Sequence, residues 1–379
     1  MAVPGLNFPP VRILSTLDRM LLREAVPPLG LGLVAFTLLM VSAILIRPTL
    51  DFMVEYNVPL SLAGKLFLMG LPQIFAYTIP MSMLLGTLIA FGRLSSDHEL
   101  VALRAAGYSL ARIVAPVFAL GLVMSVTAFL INEKLAVHLA RQVKQIKNQV
   151  IERKTGAIRQ EEVLILFKNP TDRTRWVLMA DRLEGDRLYG VRFFFFGKRL
   201  TDDWWLRAPE AEWTGNDWKF YQVMISQQQA DGSTRTIKHE TMEVKELRLS
   251  SRQLRVETLS SEERDFWEQL DFIRRRALSL PKKQVLKELT ELYMKVTVPF
   301  SAAFFVLIAV PLGIIPERTT TTTGFGIALF LVFGYYVVLI ASIRLAQAGV
   351  IAPLAASLIP NTVVALVGLG LIWWKNRRG

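Results

Sequence analysis

Apolar and polar positions along this chain are separated into long blocks. Six stretches contain no Asp, Glu, Lys or Arg: Val26–Ile46, Leu66–Gly92, Ile113–Ile131, Val296–Ile315, Gly324–Ile343 and Ile351–Trp374. Each is near or above the ~20 residues that a helix needs to cross ~30 Å of hydrocarbon. The pattern predicts six transmembrane helices in two groups of three. The first run is too long for a cleavable leader and is expected to stay as an anchor. Pro72, Pro80, Pro116, Pro299 and Pro311 fall inside these runs, where each removes an amide donor and favours a kink.

Between the third and fourth runs lies a block of about 160 residues with a different texture. Leu135, Leu139, Val143, Ile146 and Val150 recur at helical spacing, with Arg141, Lys144 and Lys147 between them, so a helix over Leu135–Lys154 is expected. The pattern then turns to short runs rich in β-branched and aromatic residues: Glu162–Phe167, Arg175–Ala180, Leu188–Phe196 and Glu212–Gln229. Asn169-Pro170, Gly185-Asp186 and Gly215-Asn216-Asp217 interrupt them, which predicts an antiparallel sheet or sandwich. Helices are expected again over Glu262–Leu278 and Lys282–Lys295, separated by Pro281. The expected domains are therefore a membrane half over 1–133, a β-rich insert with flanking helices over 134–295, and a second membrane half over 296–379.

Charge orients this arrangement. One side of the membrane collects Arg12, Arg19, Arg23, Arg93, Arg104, Arg112, Arg318, Lys375, Arg377 and Arg378; the other has Arg47, Lys65 and Arg344. The positive-inside rule makes the first side cytoplasmic and places the β block outside. The insert's own flanks are basic too, but long domains translocate largely regardless of charge. The formal charge of +12 is read as these flanks and their contact with anionic head groups rather than as nucleic-acid binding. Arg47, Lys65 and Arg344 are expected at the outer interface, snorkelling to head groups or pairing with lipid phosphates. Phe36, Leu39 and Phe75 are candidates to line a cavity.

Zero cysteines leave no disulfide framework or thiolate metal site. His98, His138 and His239 are far apart, and no phosphate-binding loop, zincin motif or nucleophile elbow occurs. No ionisable residue lies within an uncharged run, which argues against a proton-coupled pump. No cofactor or catalytic residue is expected.

The most informative short segment is Arg93 to Gly107, between the second and third runs. Ser96 and Glu99 have the spacing of a capping box. Asp97 and Glu99 suit the positive end of a helix dipole, and Gly107 suits a C′ position. A helix over about 96–107 is expected, roughly 15 Å long and joined to two spans, with Leu100 within it and Glu99 and Arg104 free to meet a partner.

Leu94-Ser-Ser-Asp-His-Glu-Leu-Val-Ala-Leu-Arg-Ala-Ala-Gly-Tyr-Ser109 resembles the loop of the LptF/LptG permease family, membrane subunits of the lipopolysaccharide-extracting ABC transporter. Ile79-Pro80-Met-Ser-Met-Leu-Leu-Gly86, Val310-Pro311-Leu-Gly313, Gly349 to Pro353 and Ile359-Pro360-Asn361 fit the same family. The resemblance implies an inserted periplasmic β-jellyroll, a coupling helix whose carboxylate corresponds to Glu99, and an inner-membrane location. It further implies a cytoplasmic ABC ATPase dimer, a second permease subunit, a periplasmic bridge protein, and lipopolysaccharide or a related glycolipid as cargo. The alternative is a membrane scaffold or receptor whose outer β domain binds envelope proteins without transport. A lipid-modifying enzyme would need facing interfacial carboxylates or histidines, which the sequence does not suggest.

Overall fold

The computed structural model describes residues 15–155, 163–168, 175–196, 203–215, 217–228, 233–244, 254, 259–276, 280, 282–314 and 321–378. Arg12, Arg318, Glu162, the Asn169-Pro170 turn, Asn216, Gln229, Leu278 and Pro281 lie outside the described residues. Among the described residues six helices are long and apolar enough to cross a membrane.

The first span is α1 (Thr16–Met40), continued through a π-helical turn (Val41–Ile46) into α2 (Arg47–Glu55). It starts at a capping box the sequence reading missed. The Ser15 amide donates to Asp18 Oδ2 at 2.9 Å, and the Asp18 amide donates to Ser15 Oγ at 3.2 Å. The second span is α3 (Leu60–Ser96), followed by the short α4 (Glu99–Ala105). The third is α5 (Leu110–Leu130), which passes through a second π-helical turn (Ile131–Ala136) into α6 (Val137–Thr155). After the sheet come α7 (Phe266–Arg276) and the last three spans: α8 (Lys282–Gly313), α9 (Thr321–Gln347) and α10 (Pro353–Arg378). The boundaries expected at 133/134 and 295/296 both fall inside continuous helical segments.

Two helices form the centre of the bundle. Met83, Leu84 and Leu85 of α3 and Ala302, Phe305, Val306 and Ala309 of α8 are at most 1% exposed. By contrast, Leu31, Val34 and Leu38 of α1 and Phe330, Phe333 and Ile340 of α9 are exposed apolar side chains, as expected of faces turned to lipid. The bundle packs closely because glycines sit at the crossings. A Cβ on Gly86 would lie 2.6 Å from Leu29 Cα, and one on Gly368 would lie 2.7 Å from the Leu307 carbonyl carbon. Leu307 is four residues before Pro311, so its carbonyl has no helical donor there, and α10 approaches at that point. A buried polar chain ties the last three spans together. Tyr335 Oη donates to Asn361 Oδ1 at 3.1 Å, and Asn361 Nδ2 donates to the Thr297 carbonyl at 2.7 Å.

The insert is an antiparallel sheet of seven described strands: β1 (Val163–Lys168), β2 (Arg175–Ala180), β3 (Arg182–Glu184), β4 (Arg187–Phe196), β5 (Trp204–Trp213), β6 (Trp218–Gln228) and β7 (Thr234–Val244). The order is β1-β2-β4-β5-β6-β7, with β3 on β4, so neighbours in space follow the chain. Trp176, Leu178, Leu188, Val191, Phe193, Leu206, Trp218, Phe220 and Val223 bury one face. Within Glu212–Gln229 the break falls where the sequence placed an interruption: Gly215 takes φ +97°, Glu212 and Trp213 end β5, and Trp218–Gln228 is β6.

Candidate functional site

At one end of the bundle α4 bridges α3 and α5. The expected Ser96/Glu99 capping box is not formed. Ser96 is the last residue of α3, its buried Oγ has no partner, and His98 holds the N-cap position of α4 at φ +60° without a side-chain bond. The cause is α3 itself, which extends through Ser96, the residue that would have to leave the helix to cap the next one. The other terminus follows the sequence. Gly107 takes φ +89°, its amide donates to the Arg104 carbonyl at 2.9 Å, and the Tyr108 amide donates to the Leu103 carbonyl at 3.2 Å. These are the two bonds of a Schellman motif.

Leu100 (3% exposed) anchors α4 in a cluster with Leu17, Leu21, Leu94 and Leu110. Three ion pairs fix the helix ends around it. Arg93 reaches Glu24 at 3.3 Å and Asp97 at 3.7 Å. Arg112 Nη1 donates to Asp18 Oδ1 at 2.6 Å and its Nη2 to Ser15 Oγ at 3.0 Å. Arg93 and Arg112 therefore pair with α1 as well as contributing to the charge count. Glu99 and Arg104 are half-buried and have no ion-pair partner among the described residues, whereas Val101 and Tyr108 are exposed. The result is a short helix locked to three spans, with an apolar and polar surface left open.

The opposite end holds a charged network that sequence reasoning did not find. Arg141 of α6 donates to the Glu263 carbonyl at 2.6 Å and pairs with Glu268; Lys144 pairs with Glu263 at 2.8 Å. Arg264 lies 3.6 Å from the Phe272 ring centroid and 3.3 Å from Glu288. Gln269 Nε2 donates to the Glu288 carbonyl at 3.1 Å. Glu133, in the π-helical turn at the end of the third span, accepts the Phe266 amide at the start of α7, and Lys295 donates to the Arg264 carbonyl. Gln73, Tyr77, Asn132, Lys287, Glu288 and Met294 are among the residues lining a cleft of about 1080 Å³ there. The available signal was that Glu133 and Lys295 sit at the edges of two uncharged runs. Their partners, Phe266 at the start of α7 and Arg264 just before it, are more than a hundred residues from Glu133.

The remaining predicted residues are dispersed. Arg47 is exposed and lies 3.9 Å from Asp51, while Lys65 and Arg344 are exposed without an acidic partner among the described residues. Phe36 is 1% exposed and stacks on Phe325 of α9 with ring centroids 5.9 Å apart. It fills the space between α1, α3 and α9 and faces no open volume within one chain. Leu39 is exposed and Phe75 half-buried. Among the described residues no three His, Asp or Glu side chains gather as a metal site would require.

A family model described as lipopolysaccharide export system permease LptF/LptG matches residues 19–374, nearly the whole chain. No curated protein matches it.

Proposed function

The chain belongs to the LptF/LptG permease family of the lipopolysaccharide export system, and on that premise we propose that it is the membrane subunit through which an ABC ATPase drives glycolipid extraction. The observation that carries this reading is α4. A seven-residue helix joined to two spans and pinned to a third transmits a push without bending. Glu99, without an ion-pair partner among the described residues, and exposed Val101 and Tyr108 offer a docking surface to a cytoplasmic ATPase dimer. A scaffold has no use for such a rigid lever.

In this reading two permease chains, identical or related, enclose a cavity that lipopolysaccharide or a similar glycolipid enters sideways from the inner membrane. Exposed Lys65 and Arg344 at the outer interface suit its phosphates. The β domain, in the periplasm, passes the lipid to a bridge protein. Motion of α4 reaches the outer cleft along α3 and α5, which span the membrane between the two ends.

The test is purification of the tagged protein from its own membranes in mild detergent, comparing wild type with Glu99→Arg. An ATPase that co-purifies with wild type and is lost in the variant supports the motor reading. Absence of an ATPase under conditions that preserve other transporters sinks it.

A further inference from the structure

The solvent face of the β sheet carries two rows of charge that differ in one respect. In the first, Arg187, Glu212, Lys219 and Glu243 are successive cross-strand partners over β4, β5, β6 and β7. The signs alternate. Arg187 bridges Glu210 at 2.9 Å and Glu212 at 3.1 Å, and Tyr221 Oη donates to Glu212 at 3.1 Å. Glu212 also pushes the Arg187 pKa upward, as a neutralising partner should.

In the second row Arg192, Arg207, Met224 and Lys238 are the successive partners over the same strands. Two arginines stand directly opposite each other, an arrangement that costs stability unless something neutralises it. Asp181 reaches Arg192 at 3.2 Å. Arg207 and Lys238 have no acidic partner among the described residues.

A crease across the sheet separates the rows. The pairing register skips Gly190, Pro209, Gln222 and Glu240 in turn. Gly190 takes φ +62° and Gln222 φ +50°. At Gly190 a Cβ would fall 1.9 Å from Asp181 Oδ2, so only glycine admits the carboxylate there. Gln222 pays backbone strain of a kind that gathers at binding sites. The crease opens a groove of about 830 Å³ whose walls include Arg192, Arg207, Gln222, Lys238 and His239. On its far side the next row presents Phe194 and Trp205, themselves cross-strand partners and both half-buried.

From this juxtaposition we infer that the groove on the outer face of the β domain binds a phosphorylated carbohydrate. Arginine forks match the phosphate oxygens bidentately, and the aromatic pair supplies flat apolar surface for a sugar ring. An acidic protein segment fits less well. Extended peptides pair with sheet edges, whereas this groove lies on the face of the sheet and crosses β4, β5 and β6 before it reaches the last described strand, β7. The inference stands on the sheet alone and survives failure of the ATPase reading. The sugar phosphate is either a glycolipid headgroup or a free solute.

The experiment is saturation-transfer NMR on the full chain in detergent, with glucose 6-phosphate, glucose and inorganic phosphate as probes. Glucose 6-phosphate should bind saturably and more tightly than either of the others. Arg207→Gln should weaken it at least tenfold and Lys238→Gln about threefold, while Arg187→Gln in the neutralised row leaves it unchanged. Trp205→Ala should remove its advantage over inorganic phosphate. Competition by a phosphorylated glycolipid but not by its dephosphorylated form assigns the headgroup as source; no competition by either assigns the free solute. If Arg207→Gln does not fold, as read by tryptophan fluorescence, Lys238→Gln at the exposed margin carries the test. No saturable binding, equal loss in Arg187→Gln, or polyglutamate binding with the same sensitivity to Arg207 would overturn the inference.

Discussion

Arg112 and Asp18, 94 residues apart, form the tightest link between α1 and the start of α5, with Nη1 2.6 Å from Oδ1. The Asp18 side chain is only 12% exposed and also closes the capping box with Ser15. The first span is thereby clamped to the loop end of the bundle, beside α4.

That pair sets the first prediction. Asp18→Asn keeps the shape and removes the charge, so it should lower stability by about 1 kcal/mol, a value reduced for the partial exposure of Arg112. Asp18→Ala also removes the acceptor for the Ser15 amide and should cost roughly twice as much. Thermal unfolding in detergent, run as a double-mutant cycle with Arg112→Gln, measures the coupling. A cycle that closes at zero means the pair contributes no stability.

A second prediction concerns Arg264 and Glu288, whose side chains are 4% and 10% exposed. Removing one partner of a buried pair leaves an uncompensated charge and costs about 3–5 kcal/mol, whereas apolar replacement of both is often neutral. Arg264→Ala should therefore unfold the end of the bundle opposite α4, seen as faster trypsin cleavage near Arg274 and Arg275. Arg264→Met combined with Glu288→Leu should restore much of the protection. Equal sensitivity of the single and double variants would show that packing over Phe272, not charge, is what matters.

How much of this was legible follows from what each signal depends on. The six spans were readable because freedom from charge over ~20 residues has few other causes. Strands β2 and β4 were readable from Trp-Val-Leu-Met and Phe-Phe-Phe-Phe. β7 was not, because Thr234–Val244 is exposed along most of its length and so carries no apolar alternation. Most of β5 was hidden by Arg207, Pro209 and Glu210, residues that mark the crease rather than a strand. The Ser96/Glu99 box misled because a local four-residue pattern cannot report that α3 extends through Ser96. The network of Glu133, Arg264, Glu288 and Lys295 depends on tertiary contacts between segments the chain keeps far apart. Its members were visible only as isolated charges.

Glycine at a helix crossing gives a matched pair of variants. A Cβ on Gly86 would meet Leu29 Cα at 2.6 Å, whereas one on Gly30 would meet nothing within 4 Å. Gly86→Ala should force α1 away from α3 and cost about 1–3 kcal/mol. Gly30→Ala should be neutral or stabilise by up to about 1 kcal/mol through helix propensity. The chain has no cysteine, so introduced pairs across α1 and α3 can read the displacement directly by crosslinking. Unchanged crosslinking in Gly86→Ala would show that the crossing can yield.

Asn361 is the one side chain that bonds both Tyr335 and the Thr297 carbonyl, so it holds α8, α9 and α10 together by direct contacts. Asn361→Leu leaves both partners unpaired in a buried site and should cost about 2–4 kcal/mol. Tyr335→Phe deletes one bond and keeps the ring packed against Phe305, for a cost of about 1 kcal/mol. Unfolding curves in detergent should rank the two in that order. The reverse order would mean that the tyrosine hydroxyl has a stronger partner than Asn361.

The last prediction separates the rigidity of α4 from its surface. Gly107 sits at φ +89° with nothing within 4 Å of an added Cβ, so Gly107→Ala costs backbone strain alone, about 1 kcal/mol. That strain is relieved most cheaply by breaking the two Schellman bonds, which leaves Leu100 anchored and Glu99 in place but frays the C-terminal turn. Under the proposed function, co-purification of an ATPase should persist in this variant, because Glu99, Val101 and Tyr108, the residues proposed to dock it, are intact. ATP-driven release of glycolipid should fall severalfold, because a frayed lever yields before it moves α5. Release at the wild-type rate would show that α4 acts only as a tether, and that the stroke is carried through α3.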